Sequence, residues 1–226
     1  MRPRFVGRFG IADAMTVVNA GLGFAAAAVT LFDPSLAARL VLLAAVADGA
    51  DGVLARRFGG TAFGEHLDSL ADVASFGVAP ALFVFAVAFD AWGETTGTAL
   101  AVVVAALFVA MGVVRLGLYT VHDPSGPVTV GVPTTLAATV LVTLYLAGME
   151  NPTALLGITA AFAYLMVVSI PYPDLYDRDA LAMGAVQVLA VFAPTAFSRL
   201  FPRVLLLAAL AYLVLAPDLY WRDTDE

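Results

Sequence analysis

The sequence predicts an all-α fold, a polytopic transmembrane helical bundle in one membrane domain. Two observations predict it. Of 226 residues, 62% are hydrophobic and 13% charged, with a mean hydropathy of +0.93, whereas a soluble domain carries about 45–50% apolar and about 25% charged residues. The apolar residues also fall into eight successive runs separated by short polar links, and a spanning helix consumes about 20 of them. A disordered chain, a nucleic-acid binder and a water-soluble globule are all excluded.

Taken in order, the first 13 residues mix Arg2, Arg4 and Arg8 with Phe, Val and Ile, which suits a short helix lying in the membrane interface. A signal peptide is the competing reading, but no A-x-A site ends the run. The runs themselves cover residues 14–31, 36–56, 63–89, 97–119, 133–146, 154–170, 181–197 and 204–215. The last two are shorter and have Pro194 and Pro217 near their ends. Trp92 and Trp221 suit interface anchors. No internal repeat is visible.

Every basic residue is arginine, and the net charge is −7. With the N-terminus cytosolic and eight spans, Arg2, Arg4, Arg8, Arg56, Arg57, Arg115, Arg178 and Arg222 fall on the cytosolic side, against Arg39, Arg199 and Arg203 outside. That asymmetry sets the orientation. The acidic, lysine-free surface suits a high-salt cytoplasm, as in a halophile; codon bias in a GC-rich genome gives the same composition. Cysteine is absent, so disulfides and thiolate metal sites are excluded.

Four aspartates stand inside apolar runs: Asp48 and Asp51 in the second, Asp68 and Asp72 in the third. One charge at a helix centre costs about 2.5–3.5 kcal/mol on insertion scales, so four must face a polar cavity containing a cation. At about 100° per residue, Asp48, Asp51, Gly52, Ala55 and Arg56 share one face. Gly64, Asp68 and Asp72 are spaced by four and stack on a stripe that Ser75 continues. The link between the two runs is short, so they are antiparallel neighbours and the quartet converges near the cytosolic side. Oxygen-only ligands favour hard cations, Mg²⁺ or Mn²⁺. Two such ions can clamp a diphosphate. Gly52 and Ala55 leave room for a large ligand, Arg56 offers a fork to phosphate, and Thr61 adds a hydroxyl near free N–H groups. His66 points away from the Asp68 face, and His122 reads as a loop residue. A divalent-cation transporter is the reading from another class, though the chain lacks the repeat halves that such a protein would favour.

The string Asp48-x2-Asp51-Gly52-x2-Ala55-Arg56-x7-Gly64-x3-Asp68-x3-Asp72 resembles the signature of the CDP-alcohol phosphotransferases. Its link from Arg56 to Gly64 is one residue shorter than in many members. The resemblance implies a six-helix core, here followed by two further spans, and a homodimer. It implies displacement of CMP from a CDP-linked lipid by an alcohol. The stretches Leu67 to Phe83, Gly131 to Ala138 and Met166 to Asp174 are similar to the serine-using branch, and Thr16, Asn19 and Gly23 match the family's Thr-x2-Asn-x3-Gly pattern. At Arg115–Thr120 the chain lacks the second Arg and the Asn that bacterial members of that branch tend to carry.

By that resemblance, Asp48, Asp51, Asp68 and Asp72 bind two metal ions and Asp72 also accepts the proton. Gly52, Ala55, Arg56, Thr61 and Gly64 lie at the CDP moiety, with Thr16 and Asn19 either beside it or serving as buried polar glue between spans. Arg115 is either a contact to the serine carboxylate or a positive-inside anchor. The expected organisation is an interfacial segment at 1–13, the membrane domain at 14–175 and a membrane extension at 176–226. The expected reaction transfers a phosphatidyl or archaetidyl group from CDP-diacylglycerol or CDP-archaeol to L-serine and releases CMP, in the cell membrane with the site toward the cytoplasm. Glycerol phosphate or inositol phosphate is the alternative acceptor; only Arg115 and Arg178 are spare to bind such an anion.

Overall fold

The structure is a computed structural model that describes residues 9–61, 63–122, 128–173 and 175–220. Expectations that fall on residues 1–8, on Asp174, and on Trp221, Arg222 and the acidic tail lie outside the described residues.

Among the described residues, every apolar run becomes a helical rod. In order these are α1 (Ile11–Val29), α2 (Pro34–Phe58), α3 (Gly64–Asp72) continued by a π-helical segment (Val73–Val78) and α4 (Ala79–Trp92), then α5 (Thr96–His122), α6 (Thr134–Leu146), α7 (Pro152–Leu165), α8 (Asp177–Phe192) and α9 (Ala196–Leu219). Two of the starts use one device. Asp33 and Asn151 each accept a backbone N–H three residues on, at 2.9 and 3.0 Å, and are each followed by proline at the first helical position.

The stretches Ile11–Val29, Gly64–Trp92, Thr96–Val121 and Ala196–Leu219 are long and apolar enough to cross a membrane. The protein is therefore an integral membrane protein built as an all-α polytopic bundle. α2 is also long, at 25 residues, but carries the charges of the site. α6 has 13 residues, about 20 Å at 1.5 Å per residue. It is buried almost all round, from Thr134 to Leu146, as befits a central helix that touches other helices rather than lipid. α9 is longer than the run that announced it and begins with a left-handed turn at Phe197, Ser198 and Arg199 (φ 48°, 58° and 65°).

α1 packs on α2 and α3, and α6 is flanked by α2 and α9. α8 is fastened to α2 by two side chains. Gln187 Nε2 donates to the Leu42 carbonyl at 2.8 Å, and Arg39 Nε donates to the Val191 carbonyl at 2.5 Å. The start of α1, the α2–α3 turn, the end of α5 and the end of α7 all meet at one end of the bundle. There a short antiparallel pair, β1 (Val128–Val130) with β2 (Pro171–Pro173), joins the α5–α6 and α7–α8 connections. The sequence pattern had not announced these strands.

Two glycines make close approaches that a side chain would forbid. A Cβ on Gly23 would lie 2.5 Å from Ser75 Oγ and 2.6 Å from Ser75 Cα, so α1 runs directly against the π segment. Gly131 follows β1 at φ +79°, and a Cβ there would lie 2.3 Å from the Met166 carbonyl oxygen.

Candidate metal and substrate site

Asp48 comes from the second half of α2, and Asp68 and Asp72 from adjacent turns of α3. Each offers one carboxylate oxygen, and these oxygens lie within 4.8 Å of one another. Two unit charges at that separation repel by roughly 3–4 kcal/mol at an effective dielectric of 20. A cation between them would offset that repulsion, so the trio could hold a metal ion. The atoms left over point the same way. Asp68 Oδ1 and Asn19 Oδ1 are buried acceptors with no hydrogen-bond donor among the described residues. A missing partner for two acceptors is a donor or a cation, and an all-oxygen set suits a hard divalent ion.

Asp51 stands beside the trio and turns toward α1, where it accepts the Thr16 hydroxyl at 2.8 Å. It is 7% exposed and within electrostatic range of Asp48, Asp68 and Asp72. The four acids expected together thus converge as three, with the fourth held at their edge.

α1 supplies the neighbouring polar atoms. Asn19 is fully buried, and its Nδ2 lies 3.4 Å from both Asp48 Oδ1 and Asp72 Oδ1. Ser75 in turn donates to the Asn19 carbonyl at 2.8 Å. Thr16 and Asn19, expected beside the nucleotide or as glue between spans, are buried donors to carboxylates. Asp13, which the sequence reading passed over, is 2% exposed. It accepts the Gly10 N–H at 2.7 Å and the Thr61 hydroxyl at 2.9 Å, latching the α2–α3 turn to the start of α1. Its signal was legible: Asp13, Thr16, Asn19 and Gly23 recur at helical spacing through an apolar run.

The remaining signature positions lie around this core. A Cβ on Gly64 would come 3.1 Å from Asp13 Oδ1, so the latch and α3 are in contact. Arg56 is exposed and folds its Nη1 over Gly52, 3.6 Å from where a Cβ would stand. Ala55 is half-buried between them and Arg57 is exposed, its guanidinium 5.6 Å from the Phe58 ring centre. His66 is exposed.

Arg115, near the end of α5, is 7% exposed and within electrostatic range of Asp72. Ser69 and Thr120 share a hydrogen bond of 3.0 Å that ties this end of α5 to α3. Arg115 lines a cavity of ≈ 340 Å³ with Tyr119, Val130, Met166, Val168 and Ser169. The cavity is linked to the acidic trio through Arg115, which lines it and is within electrostatic range of Asp72.

Fold and site together are those of an integral membrane protein with a buried acidic cluster able to hold a metal ion. Residues 9–171 match the CDP-alcohol phosphatidyltransferase family, and the chain belongs to it. It is 34% identical over 166 residues to archaetidylserine synthase of Methanothermobacter thermautotrophicus, covering 71% of this chain and 68% of that one. To CDP-diacylglycerol–serine O-phosphatidyltransferase of Helicobacter pylori it is 34% identical over 149 residues, covering 62% and 61%. The protein so named in Methanocaldococcus jannaschii is 29% identical over 180 residues, 79% of this chain and 81% of that one.

Proposed function

We propose that the protein transfers a phosphatidyl or archaetidyl group from a CDP-linked lipid to L-serine, with release of CMP. The observation that carries the reading is the trio of Asp48, Asp68 and Asp72 oxygens within 4.8 Å, with Arg115, which lines a cavity, in electrostatic range of Asp72. The serine acceptor is supported by the names of the relatives, three of which use it.

Asp48, Asp51, Asp68 and Asp72 would hold two ions, Mg²⁺ or Mn²⁺. When bound, such ions supply positive charge that offsets the diphosphate and the departing CMP. Arg56, folded over Gly52, is placed to fork onto phosphate. Asp13 and Thr61 fix the turn against which the nucleotide lies. Arg115 pairs with the serine carboxylate and sets its hydroxyl toward Asp72. The Asp72 carboxylate takes the hydroxyl proton as the serine oxygen bonds to the lipid-side phosphorus. The bond from that phosphorus to the bridging oxygen breaks, and its electron pair leaves with CMP.

The site opens to the cytoplasm of the cell membrane in this reading. Arg56, Arg57, Arg115 and Arg178 gather at the site end, against Arg39, Arg199 and Arg203 at the other. A homodimer and the division at residues 14–175 and 176–226 are carried with the family resemblance.

The test uses the full chain in proteoliposomes with CDP-diacylglycerol or CDP-archaeol. CMP release that needs both L-serine and Mg²⁺ or Mn²⁺, with a serine-headed lipid seen by mass spectrometry, is the expected result. Release with glycerol phosphate or inositol phosphate and none with serine would move the acceptor. Metal uptake without CMP would replace the enzyme by a transporter.

A further inference from the structure

The family match ends at residue 171, and α8 and α9 lie beyond it. We infer that α9 is a strut that fixes the wall of the Arg115 cavity, acting through Tyr172, Tyr212 and Pro217. The inference rests on reading that cavity as the acceptor site.

The wall consists of β1 and the segment after α7. Val130 on β1 lines the cavity from one side, and Met166, Val168 and Ser169 from the other. The segment runs on into β2, where Pro171, Tyr172 and Pro173 lie opposite Val130, Thr129 and Val128. Proline has no N–H, so Tyr172 brings the only backbone donor of the three. A two-stranded pair is marginal even with a full ladder. Something besides β1 must hold β2 in place.

α9 does this with a reciprocal pair of hydrogen bonds. Tyr212 donates its hydroxyl to the Pro173 carbonyl at 2.6 Å, and Tyr172 donates its hydroxyl to the Leu213 carbonyl at 3.1 Å. Tyr172 is 3% exposed, with its ring centre 6.1 Å from that of Tyr212. The Leu213 carbonyl can take this bond for a reason written in the sequence. In an uninterrupted helix it would accept the N–H four residues on, but that residue is Pro217. The proline withholds one helical bond, and β2 supplies the donor in its stead. A third tyrosine extends the tie. Tyr220 accepts the Tyr176 N–H at 3.0 Å and donates to Asp179, and its ring centre lies 4.8 Å from that of Tyr176. α9 thus grips the chain on both sides of the turn into α8, and through β2 it fixes the residues that face Arg115. Tyr172, Tyr212 and Pro217 are positioning residues: they act on the acceptor through the wall.

The experiment compares the full-length protein with Tyr212→Phe and Pro217→Ala in proteoliposomes. Pro217→Ala is the sharper variant. It returns an N–H to the Leu213 carbonyl and improves helix propensity, so a merely structural role predicts an equal or higher melting temperature and unchanged kinetics. The strut predicts that each variant raises the serine KM about 3- to 10-fold, the equivalent of one hydrogen bond, while the CDP-lipid KM stays within about twofold. It also predicts faster hydrogen exchange at the Gly131 and Val132 amides, which donate to Ile170 and Leu165 across the wall at 2.8 and 3.1 Å. An unchanged serine KM, or an equal rise in both KM values, overturns the inference. If the unmodified protein releases no CMP with serine, the functional reading fails separately. Exchange then decides the strut alone: faster exchange supports it, and unchanged exchange overturns it.

Discussion

The side-chain amide of Asn19 bridges two carboxylates from different helices, its Nδ2 3.4 Å from Asp48 Oδ1 and 3.4 Å from Asp72 Oδ1. α1 thereby sets the spacing between α2 and α3 at the point where their acids meet. The remaining Asn19 oxygen is a buried acceptor with no hydrogen-bond donor among the described residues. Replacing Asn19 by Leu keeps the volume and removes both functions. Loss of an outer partner of a metal ligand costs about 10–100-fold in metal affinity or activity. The expected outcome is a Mn²⁺ requirement raised by that factor, read by titrating CMP release and by direct Mn²⁺ binding. Unchanged metal affinity would reduce Asn19 to packing.

Gly23 makes that bridge possible. Its absent Cβ would stand 2.6 Å from Ser75 Cα and 2.8 Å from Ser75 N, so Gly23→Ala must push α1 away from the π segment. Overpacking of this kind costs about 1–3 kcal/mol. The melting temperature in detergent should fall, and metal affinity should fall with it, because Ser75 also holds the Asn19 carbonyl. Adding Ser75→Ala should not rescue the variant, since the clash is with backbone.

These two relationships mark the border of what the sequence alone discloses. The eight runs, the antiparallel pairing of the second and third, and the convergence of Asp48, Asp68 and Asp72 all follow from hydropathy and helical angles. Helical angles fix which residues share a face, and short links fix which helices are neighbours. They leave open how each helix is rotated against a third. That is why the Thr16–Asp51 hydrogen bond, and the Asn19 amide lying between Asp48 and Asp72, could not be read from the spacing alone. The β1–β2 pair was hidden because two prolines in three residues argue against a strand. The π segment after Asp72 has no period of its own that an apolar run would betray.

Asp72→Asn preserves shape and hydrogen bonding and removes the basic oxygen. Turnover should drop by about 10²–10⁴-fold, the usual worth of a positioned base. Binding of CDP-lipid, followed by tryptophan fluorescence or by calorimetry in nanodiscs, should remain measurable. Turnover close to that of the unmodified protein would assign the proton to another group.

Arg115 tests the acceptor. Arg115→Ala should raise the serine KM by more than the CDP-lipid KM, because truncating one partner of a buried charge pair costs about 2–5 kcal/mol. Arg115→Lys should recover only part of this, because an ammonium cannot present the two parallel N–H groups that a carboxylate accepts. Equal effects on both KM values would make Arg115 a membrane anchor.

Asp13 separates hydrogen bonding from charge. It accepts from Gly10 and Thr61 at 2.7 and 2.9 Å while nearly sealed from solvent. Asn at this position keeps one acceptor for the Gly10 N–H, and its amide can donate to the Thr61 hydroxyl, so the latch survives without the charge. Leu has a similar volume but leaves both partners unpaired, at about 1–3 kcal/mol for each buried donor. Asp13→Asn should therefore keep a CDP-lipid KM within about threefold of the unmodified protein, whereas Asp13→Leu should raise it tenfold or more and lower the melting temperature. Steady-state CMP release against CDP-lipid concentration reads both. A matching loss in Asn and Leu would mean that the negative charge itself, rather than the latch on the α2–α3 turn, is what the site requires of Asp13.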